Sequence, residues 1–352
     1  MHKELSKLRI GYVPYSKNLH QPGDRRRFPY YAFKRQIKFE IADPNESYDL
    51  VILSSRADIS VWSRYCKGKL VYDLIDSYLA IPRSDFKGQL RGLFKFLSRQ
   101  SRFLQMDYWH AIENMCSRAD AVVCSTQEQR SDIMTFCSNV HIILDAHMGV
   151  ARTVKEDYQS GSAFRMVWEG LPQNLGSLEL LVPIINQLRR RYQIEIHVIT
   201  DRKYFRYLGN RVLSDSVKFV QKIFPDVIFH EWQETTVAEI ICACDLAVIP
   251  IPLTNKFALG KPENKLLLFW RMGVPVITSS TPAYLRAMES AGIDLVAKDE
   301  TEWLVKIEEL IVNKELRKQA GKLGKLYTDR EFSENILLAK WDSVFQSLGF
   351  SC

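Results

Sequence analysis

Several protein classes are set aside by what this 352-residue chain lacks. No apolar run approaches the roughly 20 residues needed to span a bilayer, so no transmembrane helix is expected. Seven cysteines, an odd number, include no Cys-x-x-Cys pair, which argues against a disulfide framework or a zinc ribbon. Cys242 and Cys244 flank Ala243 on an expected helix and read as buried apolar residues. Seven histidines are scattered, and no His/Cys/Asp cluster has ligand spacing, so no metal site is expected. Repeats and low-complexity tracts are missing. The first nine residues hold no signal-peptide core before the strand-like Ile10–Val13, and a cytoplasmic protein is the expectation.

What is present fits a globular protein with room for two domains: 46% hydrophobic and 25% charged residues. The formal net charge of +7 is uneven. Residues 1–150 hold 22 basic and 16 acidic side chains, whereas 151–352 hold 26 and 25, so the first half is the one suited to an anionic partner. Short apolar runs alternate with longer helical stretches, the pattern of parallel sheets covered by helices. The runs of the first half are Ile10–Val13, Leu50–Leu53, Leu70–Leu74, Ala121–Cys124 and His141–Leu144. Residues 149–162 lose the apolar period and read as a linker. The pattern resumes with Arg165–Trp168, Ile194–Ile199, Val217–Val220, Val227–Phe229, Leu246–Ile249, Val274–Ile277 and Leu295–Val296. The expectation is an α/β protein of two doubly wound domains, 1–155 and 156–330. A terminal helix over 331–352, with Trp341 and Phe345 four apart, can cross back to the first domain. Ligands in such sheets bind beyond the carboxyl ends of the strands.

The stretch from Lys261 to Ile277 carries the most information. Pro262 suits a first helical position, Gly273 ends the helix, and Val274–Ile277 forms a buried strand. A helix N-terminus offers free N–H groups and a positive dipole end, and Lys261 and Lys265, four apart, can share one face there. Such a place suits a diphosphate. The bland alternative is an ordinary helix with solvated lysines.

Asp245-Leu-Ala-Val-Ile-Pro-Ile-Pro252, then Lys261–Lys265, then Met272-Gly-Val-Pro-Val-Ile277 resembles the donor-binding part of nucleotide-sugar glycosyltransferases of the GT-B fold. The similarity is to the large retaining group of polysaccharide and lipopolysaccharide assembly, and it runs from Phe164 to Thr281. It implies two Rossmann-like domains facing a central cleft, the first binding acceptor and the second donor. The group commonly has two glutamates around this helix. The ribose-binding one, counted back from Gly273, falls on Leu268, and neither is present. Asn264-Lys265 looks like a variant of the same turn. By resemblance, Lys261, Lys265, Asn264, Glu263 and Pro252 border the donor, with Lys256 in reach. Glu169 and Gly170, after the first strand of the second half, border its phosphates and sugar, and Trp232 lies near its base. Each of these also reads as an ordinary turn or packed residue.

In the first half, Asp73 and Asp76 stand at a strand end where related enzymes often carry a His or Asp near the anomeric centre. Asp76 is the favoured catalytic candidate, since Asp73 falls within the strand; a cap or loop aspartate is the alternative. Pro22-Gly-Asp-Arg-Arg-Arg follows the first strand, and Arg26 and Arg27 are candidates for a phosphate or an acidic acceptor. From Phe86 to Arg102, Lys87, Arg91, Lys95, Arg99 and Arg102 recur at helical spacing, with no acidic residue between Asp85 and Asp107. This predicts a basic amphipathic helix suited to an anionic membrane surface, or else a plain surface helix.

The function expected is metal-independent, retaining transfer of a sugar from a nucleotide-sugar donor to a glycan or lipid-linked acceptor, with no cofactor. The absence of Asp-x-Asp counts against the metal-dependent glycosyltransferase fold. The competing readings are a nucleotide-sugar epimerase of similar fold and a non-catalytic GT-B-like binding protein. Nucleic acid is not expected as a partner, since no motif for it accompanies the basic residues.

Overall fold

The structure is a computed structural model that describes residues 3–206 and 212–351. The chain divides into two compact units: Met1–Ala146 with Glu334–Cys352, and His147–Ser333.

Unit 1 contains β1 (Lys3–Glu4), β2 (Ile10–Val13), β3 (Glu40–Ile41), β4 (Leu50–Ser54), β5 (Lys69–Asp73), β6 (Ala121–Cys124) and β7 (Val140–Ile142). Six of them form a parallel sheet in the order β3-β2-β4-β5-β6-β7. All residues of β4 and β6 are buried, as strands covered on both faces by helices must be. The Glu334–Ser347 helix belongs to this unit. Leu338, Trp341, Val344 and Phe345 bury against Phe28 and Tyr31, with the Phe345 and Tyr31 rings 5.3 Å apart.

Unit 2 contains β8 (Phe164–Glu169), β9 (Ile194–Thr200), β10 (Lys203–Arg206), β11 (Val212–Asp215), β12 (Ile228–Glu231), β13 (Leu246–Ile249), β14 (Val276–Ser279) and β15 (Val296–Ala297). Its parallel sheet runs β12-β9-β8-β13-β14-β15, and β10 and β11 pair as an antiparallel hairpin. A last strand, β16 (Phe350–Ser351), returns to pair with β1 in unit 1. Residues 151–160, inside the expected linker, have no regular structure but are pinned to unit 2. The Lys155 N–H donates to the Met272 carbonyl at 2.8 Å, and the Tyr158 hydroxyl to that of Gly273 at 2.7 Å.

Three expectations are corrected. Val217–Val220 is not a strand but lies in the Ser216–Ile223 helix. The Asp215 carboxylate caps it, accepting from the Val217 and Lys218 N–H groups at 2.8 and 3.2 Å, and Val217 and Val220 stand at helical spacing. The helix after Lys261 begins at Asn264 rather than Pro262, so Lys261 lies before it. The single helix over 86–102 is two short ones, Phe86–Gln89 and Arg91–Leu97, with Arg99 at φ 59° and Arg102 on the returning chain. Glycines at 88 and 92 weaken a continuous helix there. A Cβ on Gly92 would meet the Gln105 carbonyl oxygen at 1.8 Å, so this glycine lets the return segment pack against the helix. Among the described residues, no helix is long and apolar enough to cross a membrane.

Candidate functional site

In unit 2 the polar side chains gather where β8, β9 and β12 end. β8 finishes Trp168-Glu169, and Gly170 turns the chain. The Gly170 N–H donates to the Ile199 carbonyl at 3.2 Å, and its own carbonyl accepts from the Thr200 hydroxyl at 2.6 Å. The turn is therefore tied to the end of β9 from both sides. Trp232 follows β12, its N–H donating to the Thr200 carbonyl at 3.1 Å and its indole Nε1 to Glu169 Oε1 at 3.1 Å. Glu169 is buried, and the indole bond fixes its carboxylate.

Lys265, on the first turn of the Asn264–Arg271 helix, reaches into this turn. Its Nζ donates to the Glu169 carbonyl at 2.7 Å and lies 4.6 Å from the centre of the Trp168 ring, a cation–π distance. A Cβ on residue 170 would sit 1.9 Å from that Nζ, so the ammonium occupies space that only glycine leaves open. Lys261 Nζ donates to Asn174 Oδ1 at 2.8 Å in the helical segment after Gly170. Two half-buried ammonium groups thus meet the chain near the Gly170 turn, one at Glu169 before it and one at Asn174 after it, at the carboxyl ends of parallel strands. Phosphate oxygens suit such a place.

Among the other donor-side candidates, Glu263 is the N-cap residue of this helix, without a side-chain cap bond, and Asn264 opens it. Pro252 lies in the loop after β13, its carbonyl accepting from the Asn255 N–H at 3.2 Å. Lys256 is exposed on the Lys256–Leu259 helix. Leu268, at the position of the group's ribose-binding glutamate, is 1% exposed and belongs to the core. The roles of Trp168 as ring platform and Asn174 as lysine partner were missed in the sequence, although both flank the Glu169-Gly170 signal.

Unit 1 corrects two assignments. Arg27 joins the Pro22–Arg26 and Phe28–Lys34 helices and is 1% exposed. Its Nε and Nη2 each donate to the Asp73 carboxylate at 2.6 Å, and Nη1 donates to Asp145 Oδ1 and the Ile143 carbonyl at 3.0 Å. Arg27 and Asp73 are thus a buried, bidentate ion pair that ties the helix junction to the end of β5, not groups presented to a ligand. Asp24, unnoticed in the sequence, plays a similar part for the loop after β2. It accepts from the Tyr12 hydroxyl at 3.0 Å and from the Tyr15 and Ser16 N–H groups at 2.8 and 3.0 Å. Arg26 is half-buried, and its Nε has no hydrogen-bond partner among the described residues. Asp76 lies half-buried in the loop after β5, its Oδ2 accepting from the Tyr78 hydroxyl at 3.3 Å.

The basic segment is also rearranged. Arg91 stacks 4.3 Å over the Tyr78 ring, and Lys95 turns inward to donate to the Tyr108 hydroxyl. Burial, with help from Arg91 and Arg56, lowers the Lys95 ammonium to about 8. Arg99 and Arg102 are exposed. The Lys87 side chain lies outside the described residues. Burial pushes the Cys116, Cys124 and Cys244 thiols up to about 12, so none of these is a ready nucleophile.

Residues 166–313, which span β8 to the helix after β15, match the family model described as glycosyl transferases group 1. Similar solved structures include HepE from Anabaena in complex with UDP-glucose, at 13% identity and a TM-score of 0.67, covering 97% of this chain and 99% of that one. A sucrose-phosphate synthase from Thermosynechococcus elongatus is 13% identical with a TM-score of 0.61, over 96% and 80% of the two chains. TarM is 12% identical with a TM-score of 0.58; the match covers 84% of this chain but only 54% of TarM. No curated protein sequence matches. The fold is the GT-B fold of two Rossmann-like units. The family match lies within unit 2, the unit that holds the Gly170 turn.

Proposed function

We propose that the enzyme transfers a sugar from a nucleotide-sugar donor to a glycan or lipid-linked acceptor, with retention and without a metal, in surface polysaccharide assembly at the inner face of the cell membrane. The observation that carries the donor half is Lys265 Nζ held at the Gly170 turn, with Lys261 beside it. Together they offer the charge that Mg²⁺ or Mn²⁺ supplies to a leaving diphosphate in metal-dependent transferases. Trp232 supplies a ring near the same turn on which a base can stack. HepE and TarM have been seen with UDP, which makes a uridine nucleotide the first donor to try. The retaining outcome, the catalytic role of Asp76 and the phosphate or acceptor role of Arg26 rest on the resemblance of the sequence to retaining enzymes. A carboxylate in the Asp76 role stabilises a cationic sugar centre and acts on the transition state more than on the ground state.

The test is a panel of UDP-sugars incubated with and without glycan and lipid-linked acceptors, in EDTA and with added Mg²⁺. Transfer that persists in EDTA supports the reading. Conversion of the donor to its epimer without acceptor would support the isomerase instead. Lys265→Ala should weaken UDP binding by about 1.5–3 kcal/mol, the value of one charge-assisted hydrogen bond, in calorimetric titration. Unchanged affinity in a folded variant removes Lys265 from the donor site.

A further inference from the structure

Residues 86–106 do not behave like an ordinary surface excursion. Of 20 large apolar side chains that are exposed among the described residues, eight lie in this stretch of 21. The Arg91–Leu97 helix exposes Leu93, Phe94, Phe96 and Leu97 and buries only Gly92. A helix of a soluble domain normally turns such a face to the core. The chain then returns through Phe103, Leu104 and Met106, exposed at 41, 42 and 81%. None of these residues enters either hydrophobic cluster of unit 1.

The excursion is nevertheless built. Gly92 packs on the Gln105 carbonyl, and Gly88 lies so near Trp109 that a Cβ would meet the ring at 2.5 Å. Trp109 Nε1 donates to the Ile81 carbonyl at 2.8 Å. On the return, Asp58 Oδ2 accepts from the Arg102 N–H at 2.7 Å, and Ser60 Oγ from the Phe103 N–H at 3.1 Å. Apolar side chains are thus held outward on a braced support.

We infer that this excursion is an apolar wedge that enters the boundary between headgroups and acyl chains of an anionic bilayer. Five basic residues and no acidic one lie between Asp85 and Asp107, which complements a negatively charged surface. A second copy of the chain is a poor occupant, because a symmetric contact would set this all-basic segment against itself. The inference deepens the inner-membrane part of the proposed function and rests on it. It changes where the binding energy lies. Lys95 faces inward and Arg91 is stacked on Tyr78, so charge alone is a smaller share than the sequence spacing implies, and apolar insertion is the larger.

The experiment is co-sedimentation of the full chain with vesicles of phosphatidylcholine alone or mixed with phosphatidylglycerol, at low salt and at about 1 M salt, where the Debye length is about 3 Å. Two folded double variants are compared: Leu97→Ser with Met106→Ser, and Arg99→Gln with Arg102→Gln. Wild type should bind the anionic vesicles and keep most of that binding in high salt. The serine pair should lose about tenfold or more at either salt, since both side chains are solvent-facing and their loss removes insertion rather than packing. The glutamine pair should lose binding chiefly at low salt. If the serine pair binds as wild type does while the glutamine pair fails, the wedge is wrong and an electrostatic membrane contact stands. If wild type binds neither vesicle at low salt, both the wedge and the membrane reading fall. Concentration-dependent dimers in light scattering, abolished by the serine pair and without vesicle binding, would give the surface to a second copy and also overturn the wedge.

Discussion

Gly170 is the residue on which the donor-side geometry turns. Its missing Cβ leaves room for an ammonium that would otherwise be 1.9 Å away. Gly170→Ala must therefore displace Lys265 Nζ from the Glu169 carbonyl or shift the turn. The expected outcome is UDP affinity lowered about as far as in Lys265→Ala, with the double variant no worse than either single one, because both remove the same contact. Calorimetric titration of the three proteins checks this. The Arg27–Asp73 pair gives a second prediction at this scale. Both groups are buried; removing Arg27 leaves Asp73 as an uncompensated charge, and removing Asp73 leaves Arg27 with the Asp145 carboxylate on one Nη only. Asp73→Asn should cost about 3–5 kcal/mol in urea unfolding, and Arg27→Met with Asp73→Leu together should cost less than Asp73→Asn alone. A small effect of Asp73→Asn would mean that the pair is solvated rather than buried.

At the scale of elements, strands buried on both faces were legible because they leave continuous apolar runs: Leu50–Leu53 and Ala121–Cys124 need no context. Val217–Val220, apolar but for Lys218, is helical, since Asp215 supplies the cap and only one face of the segment is buried. The basic segment failed for the opposite reason. Its four-residue spacing is real, but two glycines divide the helix, and Lys95 is drawn inward to Tyr108. That placement has a pH signature. The Lys95 ammonium, lowered to about 8 by burial, has an unfolded value near 10.4. Below about 8 it is charged in both states, and the folded state carries the full cost of burying it. As pH rises from about 8 to about 10.4 the folded side chain releases its proton first, so stability rises relative to Lys95→Met. Urea unfolding of wild type and Lys95→Met across that window should show the gap shifting in favour of wild type. A constant gap would place the ammonium in water.

At the scale of the molecule, the chain is two α/β units, with the last helix and β16 returned to the first. Trp341 is 3% exposed and meets Phe28, Tyr31 and Phe345. Trp341→Ala should cost about 3–5 kcal/mol of unit 1 stability. The donor reading assigns UDP to unit 2. Hydrogen exchange should then show added protection at 168–175 and 259–268 on UDP binding, with saturating nucleotide at about 100 times Kd raising stability by about 2.7 kcal/mol. Protection confined to unit 1 peptides would remove the nucleotide from the Gly170 turn.

The alternation of strands and helices, the two-unit plan and the Glu169-Gly170 and Asn264-Lys265 signals can be read from the order of residues. These depend on local periodicity, turn residues and spacing, which the order of side chains carries directly. Which charged groups stay available depends on packing between distant segments. Arg27 and Arg26 are adjacent and identical, yet Arg27 is sealed against Asp73 by a partner 46 residues away, and Arg26 is not. Lys95 and Arg99 share one spacing, yet Lys95 meets Tyr108 and Arg99 faces solvent. Burial of a charge is set by what the fold brings against it from distant positions, and no local pattern encodes that.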